Sequence, residues 1–146
     1  PEEAESPGIS MEITEELIHQ IANKPLDYIH VSLMDVNSVT REGKYKGENR
    51  LELIHQWING RMPLIGIGSV FTAEDALNAV ENIGVEFVAL GREILLDYDF
   101  VAKIKEGRED EIINVFDPNR EDQHYLTPNL WEQFNQGFYP LPRKDK

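Results

Sequence analysis

The sequence contains no cysteine. This absence excludes a disulfide framework, a thiolate nucleophile and a cysteine-ligated metal site. Basic residues are also scarce, because 14 lysines and arginines stand against 27 aspartates and glutamates, for a formal net charge of −13. A surface of that sign repels nucleic-acid phosphates and anionic lipids. We therefore expect no nucleic-acid binding and no membrane association.

Long apolar runs are missing as well. No stretch approaches the roughly 20 apolar residues that a membrane span requires, and a composition with 40% hydrophobic and 28% charged residues is typical of soluble globular proteins. We expect a cytoplasmic location. The 146 residues suffice for one domain, whereas a complete eight-stranded α/β barrel takes about 250. Since the chain starts at Pro1, we expect it to be part of a longer protein.

Short apolar runs alternate with amphipathic stretches along most of the chain. The order αβαβαβα with short connections predicts a parallel sheet built from βαβ units, with strands covered on both faces. The pattern weakens after Asp117 until Thr127-Pro128, which has the N-cap and N1 residues of a last short helix. The predicted elements are a helix from Ser10 to Pro25, a strand at 28–33, a helix ending at Gly60, a strand at 64–67, a helix that starts with a capping box of Thr72 and Asp75 and has apolar positions Leu77, Val80 and Ile83, a strand at 86–90, and a helix capped by Asp97 or Asp99 and closed by Gly107.

Two of these apolar runs end in a glycine turn that leads to a predicted helix. The first turn contains Gly68 and Ser69, and the second contains Gly91 and Arg92. Such turns present backbone N–H groups and a helix N-terminus to an anion, and the planar guanidinium of an arginine suits phosphate. In (β/α)8 barrels the phosphate site commonly lies in the loops after strands seven and eight. The spacing thus predicts one phosphate held by both turns at the end of such a barrel.

Other interpretations of these residues stay open at this point. Gly66-Ile67-Gly68 begins like a dinucleotide-binding fingerprint, but Phe71 occupies the place of its third glycine. The glycines could also form tight turns without a ligand, and Glu93 could form a structural ion pair with Arg92. The four histidines share no ligand spacing, so we predict no metal site.

Four segments taken together resemble the C-terminal half of the Old Yellow Enzyme family of NADH- or NADPH-dependent flavin oxidoreductases. They are Asp27–Ser32, Pro63–Gly68, Thr72–Ala76 and Ala89–Arg92. The resemblance implies an α/β fold: the C-terminal half of a (β/α)8 TIM barrel, about strands six to eight with their helices, plus a C-terminal helical tail. We expect residues 1–116 to form the partial barrel and residues 117–146 an extension that packs on it.

The resemblance further implies that FMN is the cofactor and that NADH or NADPH is the reductant. Its phosphate would lie on Gly68, Ser69, Gly91 and Arg92, and the substrate would be a small molecule with an activated C=C bond. In the family, the groups that cradle the flavin ring and donate a proton belong to the N-terminal half, so we assign no catalytic residue here and expect them upstream of Pro1. The partner would be the remainder of the barrel or a second copy.

Two further functions remain open on the sequence alone. One is a phosphate-binding half-barrel of another TIM-barrel metabolic enzyme, and the other is a non-enzymatic interaction module that uses the aromatic C-terminal segment.

Overall fold

The computed structural model describes residues 8–144, in which helices and strands alternate as far as the third strand. The helices are α1 (Met11–Ile21), α2 (Arg50–Ile58), α3 (Ala73–Asn78), α4 (Arg92–Leu96), α5 (Phe100–Lys105) and α6 (Pro128–Asn135), and the strands are β1 (Ile29–Ser32), β2 (Leu64–Ile67) and β3 (Phe87–Val88). Single 3₁₀ turns lie at Glu109–Glu111 and Glu121–Gln123.

The described strands form one parallel sheet in the order β1-β2-β3. Ile29 lies opposite Leu64, and Ile65 lies opposite Phe87. Parallel neighbours need a crossover connection, which α2 supplies between β1 and β2 and which the α3 segment supplies between β2 and β3. The predicted mixed α/β fold with a parallel sheet is confirmed.

Side chains at the helix starts explain where the first two helices begin. The Ser10 hydroxyl accepts a hydrogen bond from the backbone N–H of Ile13 at 3.4 Å, and the Asn49 side-chain oxygen accepts from Leu51 and Glu52 at 2.8 and 3.1 Å. Each oxygen satisfies N–H groups that have no partner inside the first turn of a helix. The start predicted at Ser10 is confirmed.

The third helix departs from the regular 3.6-residue pattern. After α3, residues Ala79–Ile83 form a π-helical turn, in which the N–H of Gly84 bonds the carbonyl of Ala79 at 3.1 Å. A π turn is wider than an α turn, and it shifts the side chains that follow relative to the α-helical spacing. Of the predicted apolar positions, only Ile83 is buried, whereas Leu77 and Val80 are exposed.

The strands also differ from the predicted pattern of two covered faces. In β1, His30 and Ser32 are exposed, while Ile29 and Val31 are partly buried. β3 is two residues long, and its Phe87 is 57% exposed. Within residues 8–144, β1 and β3 thus have exposed positions, whereas β2 alternates between buried and partly buried residues.

The chain divides into two compact units. The first consists of the residues up to Gly68 together with Asn78–Ala89, and the second consists of Ser69–Leu77 together with the residues from Leu90 onward. The chain crosses between the units after β2, within α3 and after β3. The first unit contains the sheet, and its most buried apolar side chains include Val36, Leu51, Ile58, Leu64 and Val85.

An aromatic cluster forms the core of the second unit. Its buried members are Leu96, Phe116, Trp131 and Phe134. The C-terminal segment is fixed to this cluster, because the N–H of Phe116 bonds the carbonyl of Pro142 at 2.8 Å. The helix predicted to start at Thr127-Pro128 is therefore confirmed, and it carries two of the cluster's side chains.

Candidate functional site

The turn after β2 is shaped by a backbone that only glycine can follow. Gly68 has a φ of +150°, and a Cβ at this position would lie 2.7 Å from the carbonyl oxygen of Leu33 and 2.8 Å from the amide nitrogen of Asp35. Both contacts are with backbone atoms, which cannot rotate away. The N–H of Val36 also bonds the carbonyl of Gly68 at 3.0 Å. The end of β2 is therefore held tightly against the chain that follows β1.

The next residue, Ser69, occupies the left-handed region with a φ of +48°, which is uncommon for a residue with a side chain. Beyond it, Thr72 and Asp75 form a capping box at the start of α3. The Asp75 carboxylate accepts from the N–H groups of Phe71 and Thr72 at 3.0 and 2.9 Å, and the Thr72 hydroxyl accepts from the N–H of Asp75 at 3.0 Å. The capping box predicted from the sequence is confirmed.

Arg92 is the first residue of α4, and Gly91 is its N-cap. Its guanidinium donates from Nη2 to the Ser69 hydroxyl at 2.9 Å and from Nη1 to the carbonyl of Pro140 at 3.0 Å. The same guanidinium lies 5.1 Å from the centre of the Phe71 ring, within the range of a cation–π contact. Two separate segments of the second unit, one containing Ser69 and Phe71 and the other Pro140, thus orient this one side chain.

The structure brings together two of the four residues that the sequence assigned to a phosphate site. Ser69 and Arg92 are hydrogen-bonded, and Gly91 is the chain neighbour of Arg92. Gly68 belongs to the first unit and is joined to Ser69 through the chain. Which ligand these four residues hold stays a prediction.

Sequence reasoning missed the Phe71 ring and the Pro140 carbonyl as neighbours of Arg92. An aromatic residue next to a glycine turn is a weak signal for an arginine partner, since such rings more often pack in a core. The carbonyl of Pro140 gives no signal at all, because every residue has one and 48 positions separate it from Arg92.

The donor set at Ser69 and Arg92 fits an oxyanion. A guanidinium offers only N–H donors, and a hydroxyl can donate as well as accept. Paired N–H groups in one plane match two oxygens of a phosphate. The residues present therefore fit the phosphate group that the resemblance implies.

Glu93 follows Arg92 but forms no ion pair with it among the described contacts. The side chain is 1% exposed, and neither carboxyl oxygen has a hydrogen-bond partner among residues 8–144. Burial, followed by the negative charges of Asp97 and Asp75, raises the pKa of Glu93 to about 8, although Lys103 opposes the shift. The suggested Glu93–Arg92 ion pair is not what the structure shows.

Among residues 8–144, no three histidine or acidic side chains are grouped as metal ligands would be. In the same part of the chain, no helix is both long enough and apolar enough to cross a bilayer.

Comparison with known proteins identifies the family. The NADH:flavin oxidoreductase / NADH oxidase family matches residues 2–111. The chain is 42% identical over 142 residues to the probable NADH-dependent flavin oxidoreductase YqiG of Bacillus subtilis, which covers 96% of this chain and 38% of that protein.

Two further relatives are more distant. The NADH:fumarate oxidoreductase of Klebsiella pneumoniae is 30% identical over 137 residues, covering 90% of this chain and 14% of that protein. The NADH:acrylate oxidoreductase of Vibrio harveyi is 29% identical over 136 residues, covering 90% of this chain and 13% of that protein. This chain therefore spans well under half the length of each relative. It belongs to the NADH:flavin oxidoreductase / NADH oxidase family, which confirms the resemblance to the Old Yellow Enzyme family.

Proposed function

We propose that this chain supplies the FMN phosphate site of an NADH-dependent flavin oxidoreductase that reduces activated C=C bonds. The observation that carries this proposal is the hydrogen bond from the Arg92 guanidinium to the Ser69 hydroxyl at 2.9 Å. It joins the two turns whose glycines first suggested an anion site. The family match is the second support, because flavin and NADH are part of the family's description.

In this proposal the chain binds and orients the cofactor and contributes no reacting group. Arg92 and Ser69 hold the phosphate, and Gly68 and Gly91 allow the backbone to approach it closely. When bound, the flavin supplies hydride transfer between the nicotinamide and the acceptor. The residues that contact the reacting atoms are assigned to parts of the protein outside this chain, and no catalytic residue is proposed here.

The acceptor class follows from the names of two relatives. Fumarate and acrylate both carry a C=C bond conjugated to a carboxyl carbonyl, which withdraws electrons and makes the far carbon accept hydride. We extend the same class, an alkene activated by a carbonyl group, to this protein. NADPH remains an alternative reductant, and a cytoplasmic location remains part of the proposal.

The uncovered face of the sheet supports a barrel arrangement. β1 and β3 each pair on one side only within the described residues, and His30, Ser32 and Phe87 are exposed. We propose that β1 to β3 are strands six to eight of a TIM barrel and that the rest of the barrel, or a second copy, covers this face. Residues 1–116 would then be the barrel portion, and residues 117–146 would be an extension packed on it.

Substitution of Arg92 tests the phosphate assignment. In the intact native protein, Arg92→Ala should weaken FMN binding by about 1–3 kcal/mol, the range of a charge-assisted hydrogen bond. The FMN affinity of Arg92→Lys should lie between those of the native protein and Arg92→Ala, because lysine keeps the charge and loses the planar pair of donors. Dissociation constants measured by flavin fluorescence give the result.

A matched control comes from another arginine of the second unit. Arg120 pairs with Asp122 on the surface, so Arg120→Ala should leave FMN affinity within a factor of two. If Arg92→Ala binds FMN as tightly as the native protein does, the phosphate assignment is wrong.

A further inference from the structure

Glu93 is a buried acidic group that the proposed cofactor site does not use. It is adjacent to Arg92 in the chain, its side chain is 1% exposed, and both its oxygens lack a hydrogen-bond partner within residues 8–144. The carboxyl is buried within this chain alone, so the chain's own residues set its environment. A charged carboxylate is costly in such a place unless it is paired.

Lys103, the cation that acts on Glu93, is already paired with another acid. Lys103 donates to the Asp97 carboxylate at 2.5 Å, and the N–H of Ile113 bonds the same oxygen at 2.9 Å. Asp97 is itself 3% exposed. Lys103 and Asp97 therefore form a buried ion pair, and the charge of Asp97 acts against a second negative charge on Glu93.

The other acid that acts on Glu93 is Asp75, in the first turn of α3. The Asp75 carboxylate holds the backbone N–H groups of Phe71 and Thr72, and the Phe71 ring lies against the Arg92 guanidinium. Asp97, Lys103 and Asp75 are the charged groups that act on Glu93. Asp75 is therefore both a charge that acts on Glu93 and the residue that holds the turn containing Phe71, which contacts Arg92.

We propose that Glu93 is a positioning residue for the Ser69–Arg92 pair, and that it acts as an uncharged carboxylic acid whose ionisation weakens anion binding at Arg92. The inference rests on the proposed function. An ionised Glu93 opposes the anion in two ways: it repels the phosphate through a poorly screened interior, and it repels the Asp75 carboxylate that fixes the backbone beside Arg92. Anion binding and protonation of Glu93 are therefore linked.

The size of this linkage follows from where Glu93 ionises. Burial and the neighbouring charges raise the pKa of Glu93 to about 8. The fraction of protein with Glu93 protonated, which is the form that binds the anion, is therefore about ten parts in eleven at pH 7 and about one part in eleven at pH 9. The FMN dissociation constant of the intact native protein should rise about tenfold between pH 7 and pH 9. In Glu93→Gln, which keeps the shape and cannot ionise, it should change less than twofold.

Two control variants accompany this measurement. Glu74 is an exposed glutamate on α3, so Glu74→Gln should retain the full tenfold rise. Asp75→Asn removes one of the negative charges and keeps an oxygen for the two N–H groups, so the rise should begin at lower pH. If Glu93→Gln does not fold, the pH dependence of FMN affinity in the native protein and in Asp75→Asn still tests whether ionisation of Glu93 weakens binding.

An infrared measurement reports the protonation of Glu93 directly, without depending on FMN. The native protein at pH 7 should show the C=O stretching band of a protonated carboxyl group, which is lost by pH 9 and is missing from Glu93→Gln. If Glu93 had a purely structural role, the free energy of unfolding would fall as the pH rises from about 4.5 to about 8, because in that range Glu93 is ionised in the unfolded chain but not in the folded one. The FMN affinity would then stay unchanged above pH 8.

The outcomes separate this inference from the proposed function. If FMN does not bind at pH 7, the proposed function fails. If FMN binds and its affinity is flat to pH 9, if Glu93→Gln shows the same tenfold rise, or if the carboxyl band is missing at pH 7, Glu93 is not an uncharged positioning residue.

Discussion

Replacing Gly68 with alanine should destabilise the protein through two effects that can be measured separately. The new Cβ would lie 2.7 Å from the carbonyl oxygen of Leu33 and 2.8 Å from the amide nitrogen of Asp35, and the φ of +150° is unfavourable for alanine. Backbone strain of this kind costs about 1–3 kcal/mol. Forcing an extra carbon into a packed place costs about 1–3 kcal/mol more. The expected total loss is about 2–6 kcal/mol.

Gly47 separates the two effects, since its φ is +90° and a Cβ there would meet no atom within 4 Å. Gly47→Ala should therefore show the backbone strain alone, about 1–2 kcal/mol. Urea unfolding of both variants gives the comparison, with a shift of the midpoint by roughly 1 M or more expected for Gly68→Ala. If the two variants lose the same free energy, the close approach at Gly68 does not matter and the reasoning is refuted.

Three other predictions follow from the structure. Lys103→Met should cost about 3–5 kcal/mol in unfolding free energy, because it leaves the buried Asp97 carboxylate without its cation, whereas Lys105→Met on the exposed side of α5 should change the unfolding free energy by less than about 0.5 kcal/mol. The isolated 146-residue chain should self-associate at tens of micromolar (an order of magnitude set by ordinary interface strengths), because β1 and β3 leave open edges; a monomer in sedimentation velocity would count against this. The same isolated chain, given FMN, NADPH or NADH and cyclohexenone, should show no turnover above background, since a phosphate site supplies binding and not chemistry; turnover near the rate of the intact native protein would contradict it.

Much of the secondary structure could be predicted because local signals decided it. Ser10 caps α1, Thr72 and Asp75 cap α3, and β2 has the predicted bounds Leu64–Ile67. In each case a few neighbouring residues determine the outcome, either through a side-chain oxygen that reaches the first turn or through a short run of apolar residues.

What could not be predicted is a local change of helix geometry and the contacts of one buried side chain. The π-helical turn after α3 changes which side chains are buried, so Val80 is exposed and Ala79 is buried. The sequence placed Glu93 beside Arg92 and suggested an ion pair, because adjacent opposite charges often meet. Its actual neighbours, Asp75 and Asp97, act on it through folding. The spacing of Asp97 is visible in the sequence, but the approach of Asp75 and the burial of Glu93 depend on contacts between separate segments.

The candidate site was partly predictable for the same reason. The glycine turns and Arg92 could be recognised in the sequence, because a glycine turn before a helix, followed directly by an arginine, is typical of a phosphate-binding loop. The Arg92–Ser69 hydrogen bond spans 23 positions, and only the parallel arrangement of the strands made that proximity plausible. Nothing in the sequence indicated the Pro140 carbonyl as a partner of Arg92.

The capping box and the contacts of Arg92 have a thermodynamic consequence for any anion that binds there. The Asp75 carboxylate already fixes the backbone of Phe71 and Thr72, and Ser69 and Pro140 already orient the guanidinium. The conformational entropy of these groups is lost during folding rather than during binding, so the site is preorganised. Phosphate should therefore bind with little ordering of the protein, and calorimetry should show a small heat-capacity change, because almost no further apolar surface is buried.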